Sequence, residues 1–441
     1  MNNPILVERL NGQLITFLGP VLNKLEEKLD YRLVKTFIET LKAIIKFRHG
    51  SNGLLLSELG GYLSSPDQAP AGTKRLSRLL HNGHWTAALI STFLWEQADQ
   101  RVKSLHQAGE KVLVVWDESV LEKPESIALE GLCAVRSRTA ARLKRVRPGF
   151  YCPPSGTVFV PGWPWLSLLV LGHSGPPVLA AMRWWTTRGE QASDLMTQVT
   201  QQLESCLTAW GSQALHIFDR GFANDKWLTL FASYPDLQGL VRWNGKTPLI
   251  NTQGSSQPAW QLVRGKRTWE YRYLKDTCRN GLRRMGVFAL PVTHPAYPGT
   301  LYLVVCRRGK GQTPWYLLTT EKVTTPEAAW HIVLAYARRW QIEMSYRFGK
   351  SGLAMESVRL RDTQSQQKLL LMATLVHTFL LSLLTVSLKE IRASLLRQWC
   401  HRTGQKLQTQ VKMPLYRLST ALSRLWLAFA PPPIDTLLNL G

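Results

Sequence analysis

The sequence predicts a mixed α+β chain: an α/β core carrying a β-rich insertion, flanked by helical N- and C-terminal regions. Three observations predict it. Residues 1 to about 105 carry apolar positions at helical spacing. Two short apolar runs, Lys111–Trp116 and Ala214–Phe218, each stop at an aspartate and enclose further strand-like runs and a helix pattern at Ser193–Trp210. Trp243 to about Thr320 then breaks into short strand-like runs separated by Gly, Pro and basic residues. Strands alternating with helices are the mark of a mixed sheet.

The elements follow in order. Tyr31–Phe47 places Leu33, Val34, Phe37, Ile38, Leu41, Ile44 and Ile45 on one helical face, and the turn chemistry of Arg48–Gly53 ends it. Leu54–Tyr62 and Lys74–Leu80 are shorter helices. The second carries Lys74, Arg75 and Arg78, so residues 1–105 read as a helical DNA-binding region, with a packing domain of solvated basic face as the plainer alternative. Trp165–Leu171, Val178–Trp184 and Leu237–Arg242 read as strands. Thr268–Leu274, Met285–Leu290 and Leu301–Arg307 read as strands of an insertion over 243–320. A long helix pattern resumes at Thr325–Phe348 and breaks over Gly349–Ser357. Residues 356–441 read as a helical C-terminal region, the expected dimer contact, with Pro431–Pro433 marking a frayed end. Leu369–Leu388 is 20 residues without a formal charge, long enough to span a bilayer. Thr374, Thr378, Ser382 and Thr385 recur in it at helical spacing as a polar stripe, which predicts a core helix instead.

Charge narrows the function. The 441 residues hold 54 Lys plus Arg against 30 Asp plus Glu, a net charge of +24. Such an imbalance calls for a polyanionic partner, and without a membrane span the expected partner is nucleic acid. Arg136, Arg138, Arg142, Lys144, Arg145 and Arg147 fall within 12 residues with no acid among them, a natural phosphate-contacting segment. The six cysteines form no CxxC pair, which argues against a zinc ribbon or a disulfide scaffold. With no basic-then-apolar leader in MNNPILVERLNG, a cytoplasmic chain is expected.

Cutting or joining phosphodiesters usually takes two divalent ions about 3.5–4 Å apart, held by carboxylates. Asp117 in WDES and Asp219 in FDRGF each follow a short strand-like run, where clefts open in α/β sheets. Either alone also reads as a turn or capping residue. The third carboxylate lies in YARRWQIEMSYRFGK. Offsets of 3, 7 and 14 predict Tyr336, Arg339, Glu343 and Lys350 on one helix face, a carboxylate flanked by groups that grip phosphate. An Arg339–Glu343 pair one turn apart on a solvated helix is the plainer reading. Glu118, Asp225 and Glu356 are rival acids, neither at a strand end nor on that face.

With these residues in place the chain resembles the insertion-sequence-four family of bacterial DDE transposases, whose signature is Y-x2-R-x3-E-x6-K. Tyr336, Arg339, Glu343 and Lys350 match it without a gap, and Asp117 and Asp219 resemble the family's first and second motifs. The resemblance covers about Lys111 to Lys350. It implies an RNase H-like catalytic core over 106–242 and 321–355. It also implies two Mg2+ ions, with Mn2+ able to substitute, on Asp117, Asp219 and Glu343. Tyr336, Arg339 and Lys350 would contact phosphates near the cleaved end. Members cut both ends of a mobile element, bind its terminal inverted repeats and join the 3′ ends to target DNA as dimers. Several pass through a hairpin and hold a flipped base on a Trp. TPWYLLTTE places Trp315 there, in a chain of 17 Trp where a core role is the alternative. Arg242 is a candidate contact to flanking DNA.

Two competing readings stand beside this one: a non-catalytic end-binding repressor, and a host nuclease with the same core. The intact acidic triad argues against the first, since three unpaired carboxylates in a basic groove would repel phosphate unless metal neutralised them.

Overall fold

Asn2 starts the first helix, α1 (Asn3–Glu26), by accepting the Ile5 N–H through its side chain at 3.1 Å, and Asp30 does the same for α2 (Tyr31–Lys46). α3 (Leu56–Leu63), α4 (Ala69–His81) and α5 (Ala87–Gln107) complete a helical N-terminal layer. The computed structural model describes residues 2–47, 52–126, 128–143, 156–276, 281–309, 311–400 and 415–432. Lys144, Arg145 and Arg147 of the basic run, the expected turn at 48–51, Cys152, Cys278 and Pro433 lie outside the described residues. Cys133, Cys206 and Cys306 are free thiols.

The sheet begins with β1 (Val112–Glu122), β2 (Cys133–Arg136), the short α6 (Arg138–Leu143), β3 (Phe159–Leu171) and β4 (Val178–Trp184). α7 (Leu195–Trp210), β5 (Ala214–Phe218), α8 (Asp225–Ala232) and β6 (Gln238–Trp243) follow. The core strands lie in the order β4-β3-β1-β5-β6. β3 is antiparallel to both β1 and β4, whereas β5 is parallel to β1 and β6 to β5. The parallel pairs need crossovers, and α7 and α8 supply them. Three antiparallel strands followed by two parallel ones is the RNase H-like arrangement.

β1 does not end at Trp116 as its apolar run predicts. It continues through Asp117 to Glu122 because β3 keeps pairing with it, Asp117 against Ser167 and Glu122 against Gly162. Ladder hydrogen bonds need backbone, not apolar side chains. Gly162 makes that approach possible, since a Cβ there would lie 2.2 Å from the Leu121 carbonyl oxygen.

The insertion comprises β7 (Pro248–Ile250), β8 (Ser256–Pro258), α9 (Ala259–Leu262), β9 (Glu270–Asp276), β10 (Gly281–His294), β11 (Tyr297–Arg307) and β12 (Trp315–Thr319). It is not a separate layer. β12 pairs antiparallel with β6, and β11 and β10 extend the same sheet outward. α10 (Pro326–Arg338) and α11 (Trp340–Arg347) then cross one face, followed by α12 (Thr363–Ser382), α13 (Lys389–Trp399) and α14 (Leu415–Ala428).

Alternation divides the sheet into two cores. Leu113, Val115, Leu215, Ile217, Leu240 and Leu317 face α10–α12 and the N-terminal helices. Val114, Trp116, Phe218, Val241 and Leu318 face α7 and α8. α12 is buried on all sides, against α2, α4, α5, α14 and β4. The expected polar stripe is therefore no solvated face. Thr374 and Thr378 donate to the carbonyls of Leu370 and Thr374 at 2.9 and 3.0 Å within the helix. Among the described residues no single helix is long and apolar enough to cross a membrane.

Two histidines are sealed in these cores. His216 accepts the Trp116 indole N–H at 3.1 Å, and His377 packs against Phe348. Burial pushes both down to about 3. Between that value and the ordinary 6.5 the unfolded chain binds protons that the folded chain refuses. Stability is therefore full above about pH 6.5 and falls as pH drops, by about 1 kcal/mol per pH unit for each histidine. Replacing His377→Leu should halve that slope in melting curves taken from about pH 6.5 to 4.5. An unchanged slope would mean that His377 is not held neutral.

Candidate active site

Three residues singled out in the sequence stand on strands and a fourth just past one, and their positions give them one face. Asp117 shares the parity of Leu113 and Val115 on β1, and Arg242 that of Leu240 on β6. Trp315 shares that of Leu317 on β12, and Asp219 follows Ile217 and Phe218 at the end of β5. All four project to the side that α10 and α11 cover. The parallel register ends with Val115 opposite Ile217, and beyond it Asp219 lies near enough to Asp117 to repel its charge. Asp219 leaves the strand, and its carboxylate accepts the Gly221 N–H at 2.7 Å. Asp117 lies inside its strand rather than at the end expected for it.

The helix supplies the rest. Between α10 and α11 the turn tightens, with the Arg339 N–H donating to Tyr336 and the Ile342 N–H to Arg339, both three residues back. Arg339 points between two carboxylates. It pairs with Asp117 at 3.4 Å and with Glu343, one turn along. Its guanidinium lies 5.9 Å from the Tyr336 ring centroid, and that of Arg242 lies 6.0 Å from the same ring. Trp315 meets Tyr336 edge-on at 5.3 Å. The structure thus joins Asp117, Glu343, Arg339, Tyr336, Trp315 and Arg242 in one contiguous cluster, with Asp219 at its rim.

Lys350 is the exception. The helix widens into a π turn over Phe348–Gly352, and the expected offset of 14 residues no longer returns Lys350 to the shared face. Its ammonium lies 3.5 Å from Glu356, and burial lowers its pKa against the pull of Glu356 and Glu122. Glu356, one of the rival acids, is therefore its partner. Glu118 sits on the opposite parity from Asp117, as an extended strand requires, and burial raises its pKa. Asp225 is exposed in α8 and lies 3.7 Å from His294.

Electrostatics explain the arrangement. Burial pushes Asp117 up to about 7, Asp219 pushes the same way, and Arg339 and the Glu118 N–H only partly offset them. For Arg339, burial works against its charge, but Tyr336, Asp117 and Glu343 outweigh it and the pKa is raised. The carboxylates are consequently not the three unpaired anions expected from the sequence. One built-in cation serves two of them.

Sequence reasoning missed three supports. The Tyr346 hydroxyl donates to the Asp117 main-chain carbonyl, and its ring packs edge-on against Trp165 at 4.7 Å. Its place three residues after Glu343 was the signal available. Lys123 donates to the Glu356 and Val358 carbonyls at 2.6 and 2.7 Å, tying the end of β1 to the segment after the π turn. Glu122 accepts from the Ser137 hydroxyl and from the N–H groups of Arg138 and Thr139, which pins the start of the basic run to the same strand end.

The donor set suits a hard divalent cation: carboxylate oxygens only, with Asp117 raised first by burial and then by repulsion from Asp219. Among the described residues no three His, Cys, Asp or Glu side chains converge at metal-ligand spacing, and Arg339 holds two of the candidates.

Removing that internal cation has a definite expected effect. Arg339→Gln should destabilise the fold by about 2–3 kcal/mol near pH 8. That is less than the roughly 3–5 kcal/mol of a fully buried pair, because Glu343 keeps a third of its side chain in water. The loss should shrink near pH 5.5, where a carboxyl raised to about 7 has taken up its proton. Chemical denaturation at the two pH values measures it. An equal loss at both would deny the charge coupling.

No curated protein matches the sequence. A solved structure similar to the chain is the piggyBac transposase synaptic complex with hairpin DNA, 11% identical, covering 98% of this chain and 83% of that one with a TM-score of 0.37. Residues 166–379 match the family described as the transposase DDE domain. The match holds Asp219, Arg242, Trp315, Tyr336, Arg339, Glu343 and Lys350 but begins beyond Asp117, which joins them through the pairing of β1 with β3. Just under half of the chain is thus similar to a transposase DDE domain.

Proposed function

We propose that this chain is the DNA transposase of a bacterial insertion sequence, of the insertion-sequence-four kind. It binds the terminal inverted repeats of its element, cleaves them and joins the 3′ ends to target DNA. The observation that carries the reading is the meeting of Asp117 and Glu343 on Arg339, with Asp219 near enough to Asp117 to repel it. Residues more than 200 positions apart, as the pair Asp117–Arg339 is, come together on one sheet face. Nothing in core packing requires like charges there.

Asp117, Asp219 and Glu343 are the residues that would hold Mg2+, or Mn2+ in its place. When bound, the metal supplies Lewis-acid polarisation of the scissile phosphate and activation of the attacking oxygen. The protein's own share is positioning and charge. Arg339, set against Tyr336 and Arg242, offers a planar fork of the kind that grips phosphate. Tyr346 and Ser167 fix the Asp117 backbone from two sides, so the carboxylate is aimed rather than mobile. Lys350, anchored by Glu356, places a cation further along the same DNA path, and Arg136 and Arg138 are exposed beside it. Trp315 is half-buried at the edge of the cluster, where it would support a base displaced near the cut during hairpin formation. Two ends cut in concert imply a dimer on DNA, with the C-terminal helices as its contact, acting in the bacterial cytoplasm at the nucleoid.

The test is Glu343→Gln, compared with wild type in an excision assay on the DNA that naturally flanks this gene. Cleavage should also be measured with purified protein, with and without Mg2+. The variant should lose cleavage by about 100-fold or more while binding the element ends within about two-fold. Wild-type cutting by the variant would sink the site assignment. End binding by both proteins with cleavage by neither would favour the repressor reading.

A further inference from the structure

The insertion carries a second surface. On β9, Tyr271 and Tyr273 alternate with Glu270, Arg272 and Leu274, and Trp269 precedes them in the same phase. The register sets Tyr271 opposite Gly286 and Tyr273 opposite Arg284, and Leu282 completes that face on β10. Trp269, Tyr271, Tyr273 and Leu282 are 41%, 48%, 67% and 72% exposed. The reverse face is occupied. Leu274 and Met285 pack on the core, and Arg272, paired with Glu270, lies 5.2 Å from the Trp330 ring centroid of α10. Further along β10 the aromatic face itself becomes core at Phe288 and Val292. The bare stretch is therefore the part of the ribbon that runs beyond its cover.

Contiguous exposed apolar surface of this kind marks an interaction site, and its chemistry selects the occupant. The rings are presented flat. A Cβ at position 286 would lie 2.8 Å from the Tyr271 ring, so glycine there lets the ring lie against the strand. The Arg284 guanidinium stacks 3.9 Å from the centroid of that ring. Arg264, Lys266 and Arg267 are exposed on the chain leading into the ribbon. No carboxylate shares the face among the described residues, since Glu270 belongs to the other side with Arg272. Flat rings interleaved with cations match bases that expose their faces between phosphates, which a duplex does not offer. Trp315, by contrast, is half-buried and packed edge-on against Tyr336.

We infer that the β9–β10 ribbon binds single-stranded DNA, on a surface separate from the carboxylate site. The inference rests on the chain acting on DNA and not on its cutting it.

The test is fluorescence anisotropy on the full chain with fluorescein-labelled oligothymidine, and with a duplex of equal length, at low salt without divalent metal. Trp269→Ala combined with Tyr273→Ala should weaken oligothymidine binding about ten-fold or more and change duplex binding less than about two-fold. Tyr273→Phe should keep the affinity. Melting curves qualify the variants, and Tyr273→Ala alone replaces the double variant if that one fails to fold. Equal losses on both DNAs, or no loss on either, overturn the inference. So does a changed oligomeric mass with oligothymidine affinity intact, because the face would then join copies of this chain. Glu343→Gln should bind oligothymidine like wild type, so failure here and failure of the catalytic reading are told apart.

Discussion

Like charges brought together in a half-buried place need a counter-charge, and that constraint organises the active-site side of this protein. Asp117 and Asp219 lie close enough to repel each other, and Glu343 joins them from a helix more than a hundred residues later. Arg339 meets the need from within, between Asp117 and Glu343. Its charge is secured by the same carboxylates that it stabilises, and Tyr336 stacks beneath it. A cluster built this way keeps its shape without a ligand, and its internal cation is of a chemical class suited to phosphate.

The sheet delivers the residues. A strand turns alternate side chains to opposite faces, so one parity decides the side on which Asp117, Arg242 and Trp315 stand. The other parity builds the second core, with Trp116, Phe218 and Val241. The insertion matters here in an unexpected way. Because β12 pairs with β6, the insertion lengthens the core sheet and carries Trp315 onto the face of the carboxylate cluster. The same extension pushes β9 and β10 past the covering helices and leaves their aromatic face bare.

Much of the cluster was legible in sequence. The offsets from Tyr336 to Arg339 and Glu343 are short, and a helix keeps short offsets nearly in phase even where one turn tightens. Lys350 was misplaced because phase errors accumulate, and a π turn at two glycines changes the count of residues per turn. Asp117 was misjudged as a strand terminus because polar side chains hide a strand whose partner keeps pairing. The uncharged run in α12 was rightly read as core, yet its hydroxyls mark no exposed stripe. They bond back into their own helix, which an amphipathic pattern does not reveal. The described part of the basic run is pinned by Glu122, a contact between residues that no spacing rule links.

By itself the sequence determined the strongly basic character of the chain, the order of strands and helices, and the residue types of the cluster. Those follow from composition, periodicity and local spacing, which are properties of the chain alone. Only the tertiary structure decided which carboxylates meet, which cation neutralises them and which aromatics stay exposed. Strand register, the tightened turn at Arg339 and the overhang of the β9–β10 ribbon set these. Each depends on pairing between segments far apart in sequence, where backbone hydrogen bonds and burial fix geometry independently of the side chains that carry the chemistry.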